Sequence, residues 1–593
     1  MSDRVQEEHS SILFADISTR RIWYLDWPLY LILVVSSFIH FYLIQTTELD
    51  ADQANLFQIA HDTVAHGLIP LSSNLASINI LNPPLFEYIL LPAAALSNNP
   101  LGGAITVSLF SVAAAALIYF FTRRYFGVLP AIVAALLGTT AFNPLKYARS
   151  IWQPNILPFF LILFLFAIFR GAVDRKKGWF FPAAVLIAII YQLHPSSIVA
   201  LSVLIVLTVV IAPGTLRWWE IALAIAGAVL LFLPYLVLEL VNHFADLTGT
   251  LAFTHLPSHN DMDAFFRYQS LLEPYSGFHP NWMHLLYLVL QVLFFAGVII
   301  ALARLFLPRQ HVQLAEESDL YAKITFGKAD ALLRRWNAFR WNPERVAFFL
   351  LLAWQIIPFA TLIHHAVALH LQYFLLFLPG PFIFIGLSLD ALIALTRRFI
   401  PRVQVITNVV VVLACGLLVG GQLSSSTAYL GRMVPGQFPD RSAQSLPYVN
   451  DLGSVWNATQ RADQLAQENH VSRLFISIDD NNIRPVMTYM GEIIKTPTTV
   501  FGYTSCLVLP APGAGPAIYL VGPYADKTVA LLRQFASVSL IGEPQRLGLK
   551  PFRLYLVKPL ALAQAPIPIR NFSNGLGLLD STPQIMVGSN GTT

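Results

Sequence analysis

The chain carries little charge and almost no cysteine. Asp, Glu, Lys and Arg make up 12% of its 593 residues, against 56% hydrophobic residues. A soluble protein of this length would carry roughly a quarter charged residues. With a mean hydropathy of +0.60, the balance excludes a soluble globular chain and predicts a polytopic α-helical membrane protein. Only two cysteines occur, Cys415 in an apolar run and Cys506 in a hydrophilic tail, so no disulfide framework is expected. Neither GxGxxG nor GxxxxGK[ST] is present, and no internal repeat is seen. Nucleotide cofactors therefore have no support. The net charge of +4 is small, and nucleic acid is not expected as a partner. The N-terminus lacks the n-region, short h-region and cleavage site of a removed signal. Residues 1–25 read as a cytoplasmic tail.

What the chain has in abundance is long apolar runs. Eleven candidate spans lie near 26–45, 102–122, 128–143, 155–171, 179–194, 196–212, 217–241, 283–304, 346–364, 371–395 and 403–422, each close to the length that crosses a hydrocarbon core. Lys and Arg near the span ends set the orientation. A cytoplasmic N-terminus puts Arg123-Arg124, Arg170 with Arg175-Lys176-Lys177, Arg217, the basic loop 305–345 and Arg397-Arg398 with Arg402 inside. A twelfth span at 83–97 would break this pattern, so that stretch reads as a juxtamembrane or re-entrant helix. The transmembrane domain is expected over 26–422. An extracytoplasmic α/β domain is expected over 423–593, because helix-like 454–469 and 524–535 alternate there with strand-like 473–478, 517–521 and 552–557. Its Gly-, Ser-, Asn- and Pro-rich end reads as poorly ordered.

The unusual polar residues then gather on the outer face. The first outer loop, 46–101, opens with Glu48-Leu49-Asp50-Ala51-Asp52-Gln53 and closes on Asn82-Pro83-Pro84-Leu85. Acidic residues at the mouth of a membrane helix mark a functional site by default. Asp50 and Asp52 are two apart and share one side of an extended segment. One carboxylate serves as a general base; two hold a divalent metal with phosphate oxygens, the less favoured reading. The bland alternative makes Asp52 the N-cap of an amphipathic helix, and Asn82-Pro83-Pro84 a plain helix start. Lys146, Arg149, His194 and Arg267 stand at the outer ends of different spans. Converging there, they would hold a phosphate leaving group; singly, each reads as an interfacial anchor. Trp152 sits beside Arg149 at the headgroup level. His364, His365 and His370 invite a metal, but two adjacent helical positions cannot share a face, and an interfacial hydrogen-bonding role is favoured.

Asp52-Gln53-Ala54, Gly67, Pro70 and Asn82-Pro83-Pro84-Leu85 together resemble the first outer loop of the GT-C membrane glycosyltransferases, in the protein mannosyltransferase-like and aminoarabinose transferase-like branch. Arg149-Ser150-Ile151-Trp152-Gln153-Pro154-Asn155, Gln192-Leu193-His194-Pro195-Ser196 and His370-Leu371-Gln372-Tyr373-Phe374 are similar to further motifs of its bacterial members. The resemblance covers about residues 25–400. It implies a GT-C-like fold, a polyprenyl-phosphate-linked sugar as donor, and transfer of a hexosyl or pentosyl group to a lipid, glycan or protein acceptor outside the cell membrane. It implies inversion at the sugar carbon if displacement is single-step. It places the loop aspartate on Asp52 as base, with Asp50 assisting. Lys146, Arg149, His194 and Arg267 fall on the phosphate side, and Asn82, Trp152, His370 and Tyr373 at acceptor or lipid contacts. The sequence departs from the family pattern at Gln53, where Glu is usual, and at Asn82, where a basic residue or His precedes Pro-Pro. Two alternatives stand beside this reading: a metal-dependent oligosaccharide transferase, and an inactive membrane assembly subunit.

Overall fold

The computed structural model describes residues 26–76, 80–253, 257–307, 328–434, 450–479, 481–504, 507–510, 515–546, 550–559, 570–571 and 577–578. Cys506 and His255 lie outside them, as do residues 308–327 of the basic loop 305–345 and the tail's end. Two compact units are present. The first takes in the chain to Asn457 together with Gln545 and Arg546; the second holds the rest of the tail.

The first unit is helical. In order it contains α1 (Trp27–Phe41), α2 (Ala51–His66), α3 (Leu85–Leu96), α4 (Leu101–Phe126), α5 (Val128–Thr140), α6 (Phe142–Tyr147), α7 (Leu157–Ala172), α8 (Phe180–Leu193), α9 (Ser197–Ile211), α10 (Trp218–Val241), α11 (Ala245–Phe253), α12 (Asp263–Ser270), α13 (Pro280–Phe306), α14 (Lys328–Arg340), α15 (Pro343–Ile363), α16 (Gly380–Phe399) and α17 (Gln404–Arg432). Every one of the eleven expected runs falls on a helix. Six are long and apolar enough to cross a membrane: α4, α7 with its leading turn, α10, α13, α15 and α17. The turn Leu371–Phe377 and α16, bent by 49°, make a seventh if they are one span. Helices α1, α5, α8 and α9 are apolar but only 13 to 15 residues long, short for a hydrocarbon layer about 30 Å thick. The expected stretch 83–97 forms the 12-residue α3.

The helices end where local chemistry dictates. Arg123 and Arg124 occupy the last turn of α4, and Gly127 follows at φ 111°, a conformation only glycine adopts without strain. Close packing depends on small residues, as in membrane bundles generally. Gly386 of α16 lies so near α5 that a Cβ there would sit 2.6 Å from the Pro130 Cα.

Contacts between connections sort into two sets. At one end, Arg123 pairs with Asp26, Arg124 with Asp174 at 2.7 Å, and Arg304 with Glu344 at 3.7 Å. Arg175 donates to the Ile211 carbonyl at 2.7 Å. At the other, Thr47 donates to the Arg149 carbonyl at 2.9 Å, Asn143 to the Ser270 carbonyl at 2.7 Å and Tyr235 to the Leu81 carbonyl at 3.0 Å. The arginine-rich connections thus meet one another, and the connections bearing the candidate site residues meet one another.

In the tail, α18 (Leu452–Glu468) leads into a five-stranded sheet made of β1 (Leu474–Ile478), β2 (Thr498–Gly502), β3 (Ala517–Val521), β4 (Ala536–Gly542) and β5 (Arg553–Pro559), in the order β2-β1-β3-β5-β4. β1 runs parallel to β2 and β3; β5 runs antiparallel to β3 and β4. Helices Arg484–Ile493 and Asp526–Phe535 provide the crossovers, and β1 and β3 are buried along their whole length, as a parallel sheet core requires. By packing, the two compact units divide at residues 457 and 458. α17 continues to Arg432, and residues 450–452 pair with the first outer loop.

Candidate functional site

The site begins where α1 ends. After a short turn, Thr47 to Asp50 run extended into α2. A capping box starts that helix: Asp50 is the N-cap, and Gln53 Oε1 accepts the Asp50 amide at 2.9 Å. The cap is therefore Asp50, not Asp52, which occupies the first turn. Asp52 is exposed, and Asn74 Nδ2 donates to its Oδ1 at 3.5 Å. Partial desolvation holds the Asp52 carboxyl above the usual carboxylate range, and the Asn74 bond opposes that.

Asn74 is the hub of a polar network that the sequence did not reveal. Its Oδ1 accepts from Asn82 Nδ2 at 3.1 Å and from Gln153 Nε2. Gln153 also donates to Ser73 Oγ at 2.8 Å, and Ser73 donates to the Glu87 carboxyl. Glu87 is fully buried at the start of α3. Burial pushes its carboxyl up to about 8, with the Ser73 bond opposing. Asn82 thus belongs to a chain of neutral amides and hydroxyls, a setting that would desolvate a cation. Trp152 is half-buried next to Gln153.

Next to the start of the Thr47–Asp50 segment lies a small recess lined by Thr46, Thr47, Glu48, Lys146, Arg149, Tyr429 and Leu430. It brings together Lys146 and Arg149, two of the four expected phosphate-side cations. Arg149 is 2% exposed, and its Nη2 donates to the Leu43 carbonyl at 2.6 Å, bracing the turn after α1. Lys146 is less enclosed. Glu48 was missed as a site residue, although it heads the acidic motif. Burial pushes its carboxyl up to about 7; Lys146 opposes that, and Asp50 and Asp52 add to it. Tyr147, next in sequence, feels both Glu48 and Arg267, and burial raises its hydroxyl to about 12. It also lines an apolar pocket of about 50 Å³, with His40, Asn155, Leu375 and Phe382 among its walls.

The other two cations keep different company. Arg267 is half-exposed and pairs with Asp263 one turn earlier at 3.2 Å. His194, 7% exposed, caps α8. Its Nδ1 lies 3.2 Å from Ser196 Oγ, its ring packs on Tyr373 at 5.2 Å, and His370 meets the same tyrosine edge-on at 5.9 Å. Buried and packed on Tyr373, His194 presents a ring nitrogen for a hydrogen bond. His364 binds Ser258 Oγ at 2.8 Å and Asn260 Oδ1 at 3.0 Å. Among the described residues no three His, Cys, Asp or Glu side chains are grouped to hold a metal ion.

No family model matches the sequence, and a search of curated proteins found no match. Solved structures do match. The ArnT of Cupriavidus metallidurans bound to undecaprenyl phosphate superposes with a TM-score of 0.50 at 15% identity, over 91% of this chain and 99% of that one. Its apo state gives 0.49 at 15% identity over 90% and 98%. The apo oligosaccharyltransferase of Archaeoglobus fulgidus gives 0.41 at 12% over 77% and 63%, too low to carry an argument. The ArnT likeness spans both chains almost end to end and establishes the architecture: the protein shares the fold of that ArnT structure.

Proposed function

We propose that the protein is a glycosyltransferase that moves a sugar from a polyprenyl-phosphate donor to an acceptor on the extracytoplasmic face of a cell membrane. One observation carries the reading. A small cavity with Lys146 and Arg149 in its wall lies beside the helix start that presents Asp52, in a fold shared with an ArnT solved with undecaprenyl phosphate.

In this reading the phosphate head lies at Lys146, and Arg149 fixes the wall behind it. Asp52 takes the proton of the acceptor hydroxyl as its oxygen attacks the anomeric carbon. The bond from that carbon to the phosphate oxygen breaks, and the oxygen keeps the electron pair, with Lys146 stabilising the charge. A single displacement inverts the sugar carbon. Asp50 assists from the cap by fixing where α2 begins. His194, Tyr373 and His370 act as contacts to lipid or acceptor, and Arg267 as a rim charge. The cytoplasmic N-terminus and extracytoplasmic tail follow from the arginine-rich connections.

Gln53 and Asn82, the two departures from the family pattern, have structural uses here, one in the capping box and one in the Asn74 network. That favours an active enzyme over an inactive subunit. The test is binding of undecaprenyl phosphate to the full chain in nanodiscs, followed by transfer from sugar-charged carrier with and without EDTA. Saturable binding and chelator-resistant transfer are expected. No binding sinks the donor assignment, and loss of transfer on chelation moves the reading to a metal-dependent transferase.

A further inference from the structure

The segment that opens the first outer loop is held largely from outside the loop. Thr47 to Asp50 carry no helix or sheet of their own, yet Thr47 and Glu48 line the phosphate-side cavity and Asp50 begins α2. Two contacts fix them. On one side Thr47 Oγ1 donates to the Arg149 carbonyl at 2.9 Å. On the other, residues from the far end of the chain pair with them like a strand. The Leu49 amide donates to the Asn450 carbonyl at 3.0 Å, the Leu452 amide donates to the Thr47 carbonyl at 2.9 Å, and Glu48 stands opposite Asp451 in an antiparallel bridge.

The side chains repeat this link. Asn450 Nδ2 donates to Asp50 Oδ1 at 3.0 Å, and its Oδ1 accepts from Arg546 Nη2 at 2.6 Å. Asn450 and Arg546 are each 1% exposed. A buried guanidinium is costly unless hydrogen-bonded, so this one has a fixed place, and it fixes the orientation of the Asn450 amide. With Oδ1 turned to Arg546, only Nδ2 remains for Asp50. The amide therefore reads a carboxylate acceptor at position 50.

We infer that Asn450 and Arg546 are positioning residues of the donor site: they hold the Glu48–Asp50 segment so that Glu48 faces the cavity of Lys146 and α2 starts at Asp50. Residues 450–452 and Arg546, which belong to the same compact unit as the first outer loop, are then working parts of the site. This rests on the glycosyltransferase reading above.

The test uses the full chain in nanodiscs, with undecaprenyl phosphate as probe and thermal unfolding measured in parallel. Asn450→Asp replaces the donor amide with a second carboxylate facing Asp50, and should weaken binding about ten-fold or more. Adding Asp50→Asn reverses the pair, with position 50 donating and position 450 accepting from both sides. Asn caps a helix as well as Asp does, so the double variant should recover wild-type affinity to within about three-fold. A merely destabilising change at position 450 would lower the unfolding temperature and leave the affinity of the folded protein unchanged, so weakened binding below the unfolding transition marks positioning. Wild-type affinity in Asn450→Asp, or a double variant as weak as the single, overturns the inference. If Asn450→Asp does not fold, Asn450→Gln, which lengthens the link by one methylene, takes its place; undiminished binding there overturns the inference too. A wild-type chain that does not bind the probe brings down the donor reading itself, a result separate from either of these.

Discussion

Gln53 Oε1 accepts the backbone amide of Asp50 at 2.9 Å, while Gln53 Nε2 lies 3.5 Å from Ser150 Oγ. A glutamate at this position accepts but cannot donate. Gln53→Ala removes half of the capping box and should cost about 1 kcal/mol. Gln53→Glu keeps the cap and should cost less. Thermal unfolding of the two variants in one detergent checks the order.

Asp52 is the expected base. Asp52→Asn should abolish transfer and leave undecaprenyl phosphate binding within about two-fold of wild type, because the change removes proton acceptance and little else. The raised Asp52 carboxyl must be ionised to act. Transfer should therefore climb as pH rises through its range and then level off. A variant that transfers at the wild-type rate would make Asp52 only a helix-start residue.

Lys146 and Arg149 line one cavity but should respond differently. Lys146→Ala removes a charge from the wall without orphaning a backbone group, so probe binding should fall about ten-fold with little change in unfolding temperature. Arg149→Ala removes a buried side chain and its charged bond to the Leu43 carbonyl, which keeps its Thr46 donors, and should lower stability by about 1–3 kcal/mol. Isothermal titration beside thermal unfolding separates the two.

Stability should depend on pH through buried carboxyls. Glu48 and Glu87 are held near about 7 and about 8 in the folded chain, above their ordinary 4.5. Folded, they keep protons that the unfolded chain has released. The stabilisation is full below the ordinary value and is lost as pH rises through 7 to 8. Unfolding temperature should drop between mildly acidic and mildly alkaline buffer, and Glu87→Gln should flatten the drop. A midpoint that rises across the same range contradicts this.

Gly386 and Gly297 should not tolerate side chains. A Cβ at Gly297 would meet the backbone of Phe384, and one at Gly386 would meet that of Pro130. Overpacking against backbone costs about 1–3 kcal/mol or more, since neither helix has room to yield. Gly386→Ala and Gly297→Ala should reduce the yield of monodisperse protein on size exclusion. Gly416→Ala, with open space around it, should not.

The helices were legible because burial in lipid leaves a one-dimensional signal: long runs without charge, closed by arginines. The tail strands were legible for a related reason, since β1 and β3 are buried on both faces and read as continuous apolar runs. The cap was misplaced by two residues. Asp50 and Asp52 both precede an amphipathic stretch, and only backbone geometry distinguishes N-cap from first turn.

Composition alone fixed that this chain is a membrane protein, and the acidic motif with its proline-rich sequel fixed which loop to watch. Tertiary structure decided which residues of that loop act together. Asn74, Asn82, Gln153 and Glu87 form one network across some 80 residues of sequence. Asp50 takes its amide partner from 400 residues away. Hydrogen bonds between uncharged amides leave no periodicity and no composition bias in a sequence. They form only when the bundle has brought their donors and acceptors within 3 Å or so, and so the pattern of apolar runs determined the scaffold while packing chose the site.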